Sequence, residues 1–154
     1  VPTDGDYSIF IDYAVTPDAI ENVLTTLRGI APKRLVMLFG AGGDRDRKKR
    51  PIMGKLSADI ADFVIVTSDN PRTEDPMSII EEILPGVRAG KAPYKVICDR
   101  PEAIRWAIDH HEPGDVILLC GKGHEDYQII GHEKIHMDER EIVADYLAER
   151  AKRT

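Results

Sequence analysis

At 154 residues, 42% of them hydrophobic, the chain is long enough for one domain with a substantial core. Its net charge of -6 argues against nucleic acid as the main partner, because phosphate backbones demand clustered positive charge. No run of about eighteen apolar residues exists, so no segment reads as a membrane-spanning helix. The first residues, VPTDGD, show neither an initiator methionine nor a basic-then-apolar targeting pattern, and read as the start of a piece of a longer protein.

Tyr7 to Tyr13 (YSIFIDY) is a predicted strand by its β-branched and aromatic content. Thr16-Pro17-Asp18 then opens a helix: Thr16 suits the N-cap, Pro17 the first helical position, and Asp18 the positive helix end. Ile20, Val23, Leu24 and Leu27 follow at helical spacing. Leu35 to Phe39 is a continuous apolar strand of the kind parallel sheets bury on both faces. Gly40 to Arg50 (GAGGDRDRKKR) is a glycine-rich loop with a charge run, and a helix is predicted from Pro51. Asp62 to Thr67 is a third strand. A helix follows from Asp75-Pro76, with Gly86 as its predicted end.

Tyr94 to Cys98 is a fourth strand, and Pro101 starts a helix whose last turn carries His110 and His111 in structural roles. Val116 to Cys120 is a fifth strand, leading into GKGHED. YQIIG and HEKIHM then suggest a hairpin, and Asp138 to Arg150 a terminal helix. Cys98 and Cys120 each end a predicted strand and read as free thiols of a reducing cytoplasm. Strand and helix alternate throughout. The fold class is α/β: a single Rossmann-like, doubly wound, mostly parallel sheet with a C-terminal hairpin and helix.

Three loops leave strand C-termini with chemically loaded residues: Gly40 to Arg50, Asp69 to Arg72, and Gly121 to Asp126. In a parallel sheet those ends share one edge, so the loops are expected to meet across one crevice. Asn70 before Pro71 is pushed out of the helical region, which makes Asp69-Asn70-Pro71-Arg72 a stiff turn. It carries a carboxylate, an amide and a guanidinium. An ordinary surface loop would also use such residues, for local reasons. The glycine-rich loop could cradle an anion, but the Walker A spacing occurs nowhere. Lys48 and Lys49 read as a solvated face, whereas Arg45, nearer the strand end, reads as functional.

GKGHED resembles a dinucleotide fingerprint but has Asp126 for the third glycine and a strand where a helix is needed. What remains is a tight turn presenting His124 and Glu125. His132 and His136, if both lie on a strand, stand about 13 Å apart at a rise of roughly 3.3 Å per residue, too far to share a metal.

IDYAVTPDAIENVL, FGAGGDRDRKKRPIMG, VIVTSDNPRTEDP and LLCGKGHEDYQIIG, in that order, resemble the C-terminal domain of the Mur ligases, most nearly the diaminopimelate-adding MurE type. The resemblance covers essentially the whole chain, residues 1-154. It implies a three-domain enzyme of peptidoglycan synthesis acting in the cytoplasm, with an N-terminal UDP-sugar domain and a central ATPase domain outside this chain. ATP and Mg2+ would serve there, phosphorylating a carboxylate of UDP-N-acetylmuramoyl-dipeptide before the incoming amine attacks. By resemblance, Asp69, Asn70, Pro71 and Arg72 select meso-diaminopimelate. Arg45, Gly121 and Glu125 match further ligands of that amino acid, and Asp12 matches an acidic residue near the nucleotide.

Two positions depart from the family pattern: Val15 stands for a histidine close to the nucleotide, and Lys48 for a glycine of the basic loop. The chemistry agrees with the resemblance. The far end of meso-diaminopimelate is a complete amino-acid head, whose carboxylate needs a guanidinium and whose ammonium needs a carboxylate. Two rival readings are a stand-alone diamino-acid binding module and the same domain of a ligase adding glutamate or lysine. Arg72 argues against lysine, which has no distal carboxylate.

Overall fold

Apolar runs without polar alternation are buried on both faces, and the computed structural model, which describes residues 1–30 and 32–153, places them so. Strands β1 (Tyr7–Asp12), β2 (Arg34–Phe39), β3 (Phe63–Val66), β4 (Tyr94–Val96) and β5 (Asp115–Cys120) form a parallel sheet in the order β1-β5-β2-β3-β4. Helices α1 (Pro17–Arg28), α2 (Lys49–Ile60) and α3 (Pro76–Ala89) cover one face, and α4 (Arg100–Asp109) and α5 (Glu139–Lys152) the other.

The alternation along β2 shows the two layers. Leu35, Met37 and Phe39 pack with Leu24, Met53 and Ile80, while Val36 and Leu38 pack with Ile104 and Val143. The expected α/β sheet is present, with β5 inserted between β1 and β2. That insertion gathers the loops after β1, β2, β3 and β5 at one sheet edge. An antiparallel hairpin, β6 (Tyr127–Ile130) and β7 (Glu133–His136), follows β5.

Helix starts follow their capping chemistry. Thr16 Oγ1 accepts from the amide of Ala19, and Asp75, Asp99 and Asp138 cap α3, α4 and α5 in the same way. Two boundaries differ from expectation. Helix α2 begins at Lys49 rather than Pro51, because a proline in the first turn loses no hydrogen bond. Helix α3 does not stop at Gly86 but runs through Pro85 to Ala89. Gly86 is a contact residue: a methyl group there would lie 1.8 Å from the Pro51 carbonyl oxygen, and one on Gly54 would lie 2.5 Å from that of Ile83. The two glycines let α2 and α3 pack backbone against backbone.

His110 and His111 follow α4 rather than lying in its last turn. They stack on Trp106 and Tyr7 at 4.1 and 3.8 Å between ring centroids, which keeps their role structural. His132 lies in the hairpin turn, not on a strand, while His136 contacts Glu141 at 2.6 Å. Both cysteines are free; burial pushes the Cys120 thiol up to about 12.

Candidate functional site

The loops at the C-terminal sheet edge enclose a crevice of about 520 Å³. Of the residues expected to bind a ligand, Arg45, Asp69, Asn70, Arg72, Gly121 and Glu125 all line it. Pro71 and Asp12 do not. Pro71 is buried under the glycine-rich loop, where its carbonyl packs on Gly43. Asp12, at the end of β1, turns Oδ1 back to accept from the amide of Ala14 at 2.9 Å.

Arg72 holds a left-handed backbone, with φ of 53°, uncommon for a residue with a long side chain. The hairpin fixes it there: the Arg72 amide donates to Ile129 O at 3.0 Å, and the Gly131 amide donates to Arg72 O at 2.6 Å. Its guanidinium donates to the Gly43 carbonyl at 3.0 Å, tying the DNPR turn to the glycine-rich loop. Asn70 does structural work as well. Its Oδ1 accepts from Lys122 Nζ at 2.6 Å and from the Ile129 amide at 2.9 Å.

The arginines of the basic loop divide into two kinds. Arg47 is bidentate to Glu82, and buried Arg50 is bidentate to Glu74 while also donating to Gly42 O. The Arg50 hydrogen bonds, followed by that from the Asp44 amide, hold the Glu74 carboxyl down at about 2. Arg45 and Arg72 form no ion pair with a carboxylate among the described residues. Lys48 and Lys49 are exposed as expected, but Lys49 also lines the crevice.

The acidic side comes from the loop after β3 and the GKGHED turn. Asp69 is 6% exposed, and its Oδ1 has no hydrogen-bond partner among the described residues. Glu125 Oε2 accepts from Tyr127 at 2.9 Å and Tyr13 at 3.4 Å; the hydrogen bond, then the charge, holds the Tyr127 phenol above its usual value, and the Glu125 charge raises that of Tyr13. Lys122, fully buried, stands 3.4 Å from Asp69 and 3.3 Å from Glu125. Beneath them, buried Arg100 donates to Ser68 O, Cys120 O and Glu139, which clamps the ends of β3 and β5. Lys122, Arg50 and Arg100 were not singled out from the sequence, where a charged residue reads as solvated. For Lys122 one signal was available: a lysine between two glycines at the end of an apolar strand.

Residues 1–123 match the family described as Mur ligase, glutamate ligase domain. The chain belongs to the Mur ligase family. This Mur ligase domain is 56% identical, over 97% of its length, to a UDP-N-acetylmuramoyl-L-alanyl-D-glutamate–2,6-diaminopimelate ligase of Trichormus variabilis. It is 53% identical, over 99% of its length, to a protein of that name from Caldanaerobacter subterraneus. The chain spans 30% and 32% of those relatives. A solved structure of a ligase with that name superposes with a TM-score of 0.91 at 40% identity, covering 98% of this chain and 31% of that one. The expected Mur ligase C-terminal fold is therefore present, hairpin and terminal helix included.

Val15 lines the same crevice as Arg72 and Glu125, 46% exposed. One cavity therefore holds position 15 and the residues expected to bind the amino acid. Among the described residues, no three His, Cys, Asp or Glu side chains are grouped to hold a metal ion.

Proposed function

We propose that this Mur ligase domain binds meso-diaminopimelate and orients it within an ATP-dependent ligase that adds it to UDP-N-acetylmuramoyl-L-alanyl-D-glutamate in peptidoglycan synthesis. One observation carries the reading. Two guanidiniums without a carboxylate partner, Arg45 and Arg72, line the same crevice as a buried carboxylate oxygen without a hydrogen bond, on Asp69. That pairing suits an amino-acid head, its carboxylate received by guanidinium and its ammonium by carboxylate. The names of the relatives supply the candidate.

The work of the domain in this reading is positioning. Asp69, Glu125, Arg45 and Arg72 would hold the distal head of the diamino acid, leaving its other, neutral amine to attack an activated carboxyl group. ATP and Mg2+ would supply that activation, bound mainly by the parts that make the relatives about three times longer. Among the described residues no three metal-ligating side chains are grouped, and no step here is routed through a metal. Asp12, outside the crevice but next to Tyr13, which lines it, is the acidic residue proposed to lie near the nucleotide. The reaction belongs to the cytoplasm, where nucleotide-linked precursors and ATP meet.

Calorimetric titration of this chain with meso-diaminopimelate, L-lysine and D-glutamate tests the reading. Saturable binding is expected for meso-diaminopimelate, with lysine weaker by about tenfold or more for want of a charge-assisted carboxylate contact. Lysine or glutamate binding as tightly as meso-diaminopimelate would overturn it.

A further inference from the structure

Lys122 is a cation buried between two carboxylates of the site, Asp69 and Glu125. Its side chain is 0% exposed, and Nζ lies 2.6 Å from Asn70 Oδ1, 3.3 Å from Glu125 Oε1 and 3.4 Å from Asp69 Oδ1. The Tyr127 ring closes the cluster, with Nζ 5.1 Å from its centroid. The turn is built to aim this side chain inward. Gly121 and Gly123 on either side take positive φ of 115° and 54°, conformations that residues with side chains rarely adopt. A methyl group on Gly121 would also lie 3.1 Å from Asp69 Oδ2.

A buried ammonium is retained only where partners compensate its lost hydration. Here the partners are the groups that face the ligand. Asp69 and Glu125 together carry two negative charges, and Lys122 cancels one. We propose that Lys122 is a positioning and specificity-determining residue: an internal counter-cation that holds Asp69, Asn70 and Glu125 together and leaves the crevice with charge for a single ligand ammonium. The inference rests on the proposed amino-acid binding and deepens it. Lys122 occupies the space between the carboxylates that a second ligand ammonium would otherwise take. It also stands at ion-pair distance from Asp69 Oδ1, an oxygen with no hydrogen bond among the described residues.

The test separates charge from packing. In this chain, Lys122→Met keeps the bulk and removes the charge, and is expected to weaken meso-diaminopimelate binding at least about tenfold by calorimetry. Lys122→Ala should be rescued at least about tenfold by n-butylammonium and not by n-butanol, which fills the same space without charge. Unchanged binding by Lys122→Met, or equal rescue by the alcohol, overturns the inference while the substrate reading stands. Failure of the unsubstituted chain to bind meso-diaminopimelate overturns both. Should neither variant fold, the 15N signal of the Lys122 ammonium in the unsubstituted chain decides. It should shift on addition of meso-diaminopimelate, and an unmoved signal at saturation overturns the inference.

Discussion

Gly43 packs so closely on Pro71 that a methyl group at its α-carbon would lie 1.8 Å from the Pro71 carbonyl oxygen. The contact is backbone on backbone, so no side chain can swing away to relieve it. Two further bonds run across the same junction: the Gly43 amide donates to Asn70 O at 2.7 Å, and Arg72 donates to Gly43 O. The glycine-rich loop thereby brackets the DNPR turn.

Gly43→Ala is expected to part the two loops and to cost roughly 1–3 kcal/mol of stability, the usual range for overpacking a tight site. The loss of meso-diaminopimelate binding should exceed what partial unfolding explains, because Arg45 and Arg72 lose their common frame. Calorimetry under conditions where the variant is fully folded by circular dichroism checks this. Wild-type affinity in the folded variant would show that the junction is not part of the binding frame.

Arg100 supports the site from below. With Glu139 it forms a pair in which both side chains are fully buried, and it spends its other donors on the carbonyl of Ser68, just past β3, and on that of Cys120, the last of β5. Breaking such a pair by removing one partner costs roughly 3–5 kcal/mol, because the other charge stays buried alone. Arg100→Met should therefore unfold at much lower denaturant concentration than the unsubstituted chain. Adding Glu139→Leu should recover part of that loss, since the stranded carboxylate is gone. Urea melts of the three proteins measure both steps, and a double variant no more stable than Arg100→Met would contradict the pairing argument.

Glu74 ties stability to acid. Hydrogen bonds from Arg50, then from the Asp44 amide, lower its carboxyl from 4.5 to about 2 in the folded chain. A depressed carboxyl contributes stability that is complete above its unfolded value and is lost as pH falls through its folded one. The loss should therefore run from about pH 4.5 down to about pH 2. Glu74→Gln keeps the shape but not the charge, so it should be less stable near neutrality and show a shallower fall across that window. Denaturant midpoints at several pH values give the comparison, and parallel curves would remove Glu74 from the acid response.

The sheet was legible in the sequence because Leu35 to Phe39 and Val116 to Cys120 are apolar without alternation, which only a strand covered on both faces tolerates. The crevice was legible for a related reason: parallel strands bring their C-terminal loops to one edge, whatever the distance in sequence. Gly86 was misread because a glycine near a helix end has two uses, as a stop and as a contact, and only the position of α2 decides between them. Arg50, Arg100 and Lys122 were missed for a different reason. A charge is buried only when its partners are brought to it, and those partners, Glu74, Glu139 and Asp69, lie 24, 39 and 53 positions away in the chain.

Arg72 carries the substrate assignment. Its backbone is locked in a left-handed conformation by β6, and among the described residues its guanidinium hydrogen-bonds to the carbonyls of Gly43 and Asn70 and forms no ion pair, so its charge remains available to a ligand. Removing one partner of a desolvated, hydrogen-bonded charge pair typically costs roughly 2 to 5 kcal/mol. In a full-length ligase carrying this domain, Arg72→Ala should accordingly lose about thirtyfold to several-thousandfold in kcat/KM for meso-diaminopimelate. L-Lysine has no distal carboxylate and should lose far less. It could gain, since its binding would no longer leave a guanidinium unpaired. The ratio of the two efficiencies is the quantity to measure, because general damage to the fold cancels from it. Alanine keeps the Cβ and so the left-handed strain at residue 72, and both substrates meet the same backbone. A ratio unmoved by Arg72→Ala would reduce Arg72 to a turn residue, and the assignment of meso-diaminopimelate would fall with it.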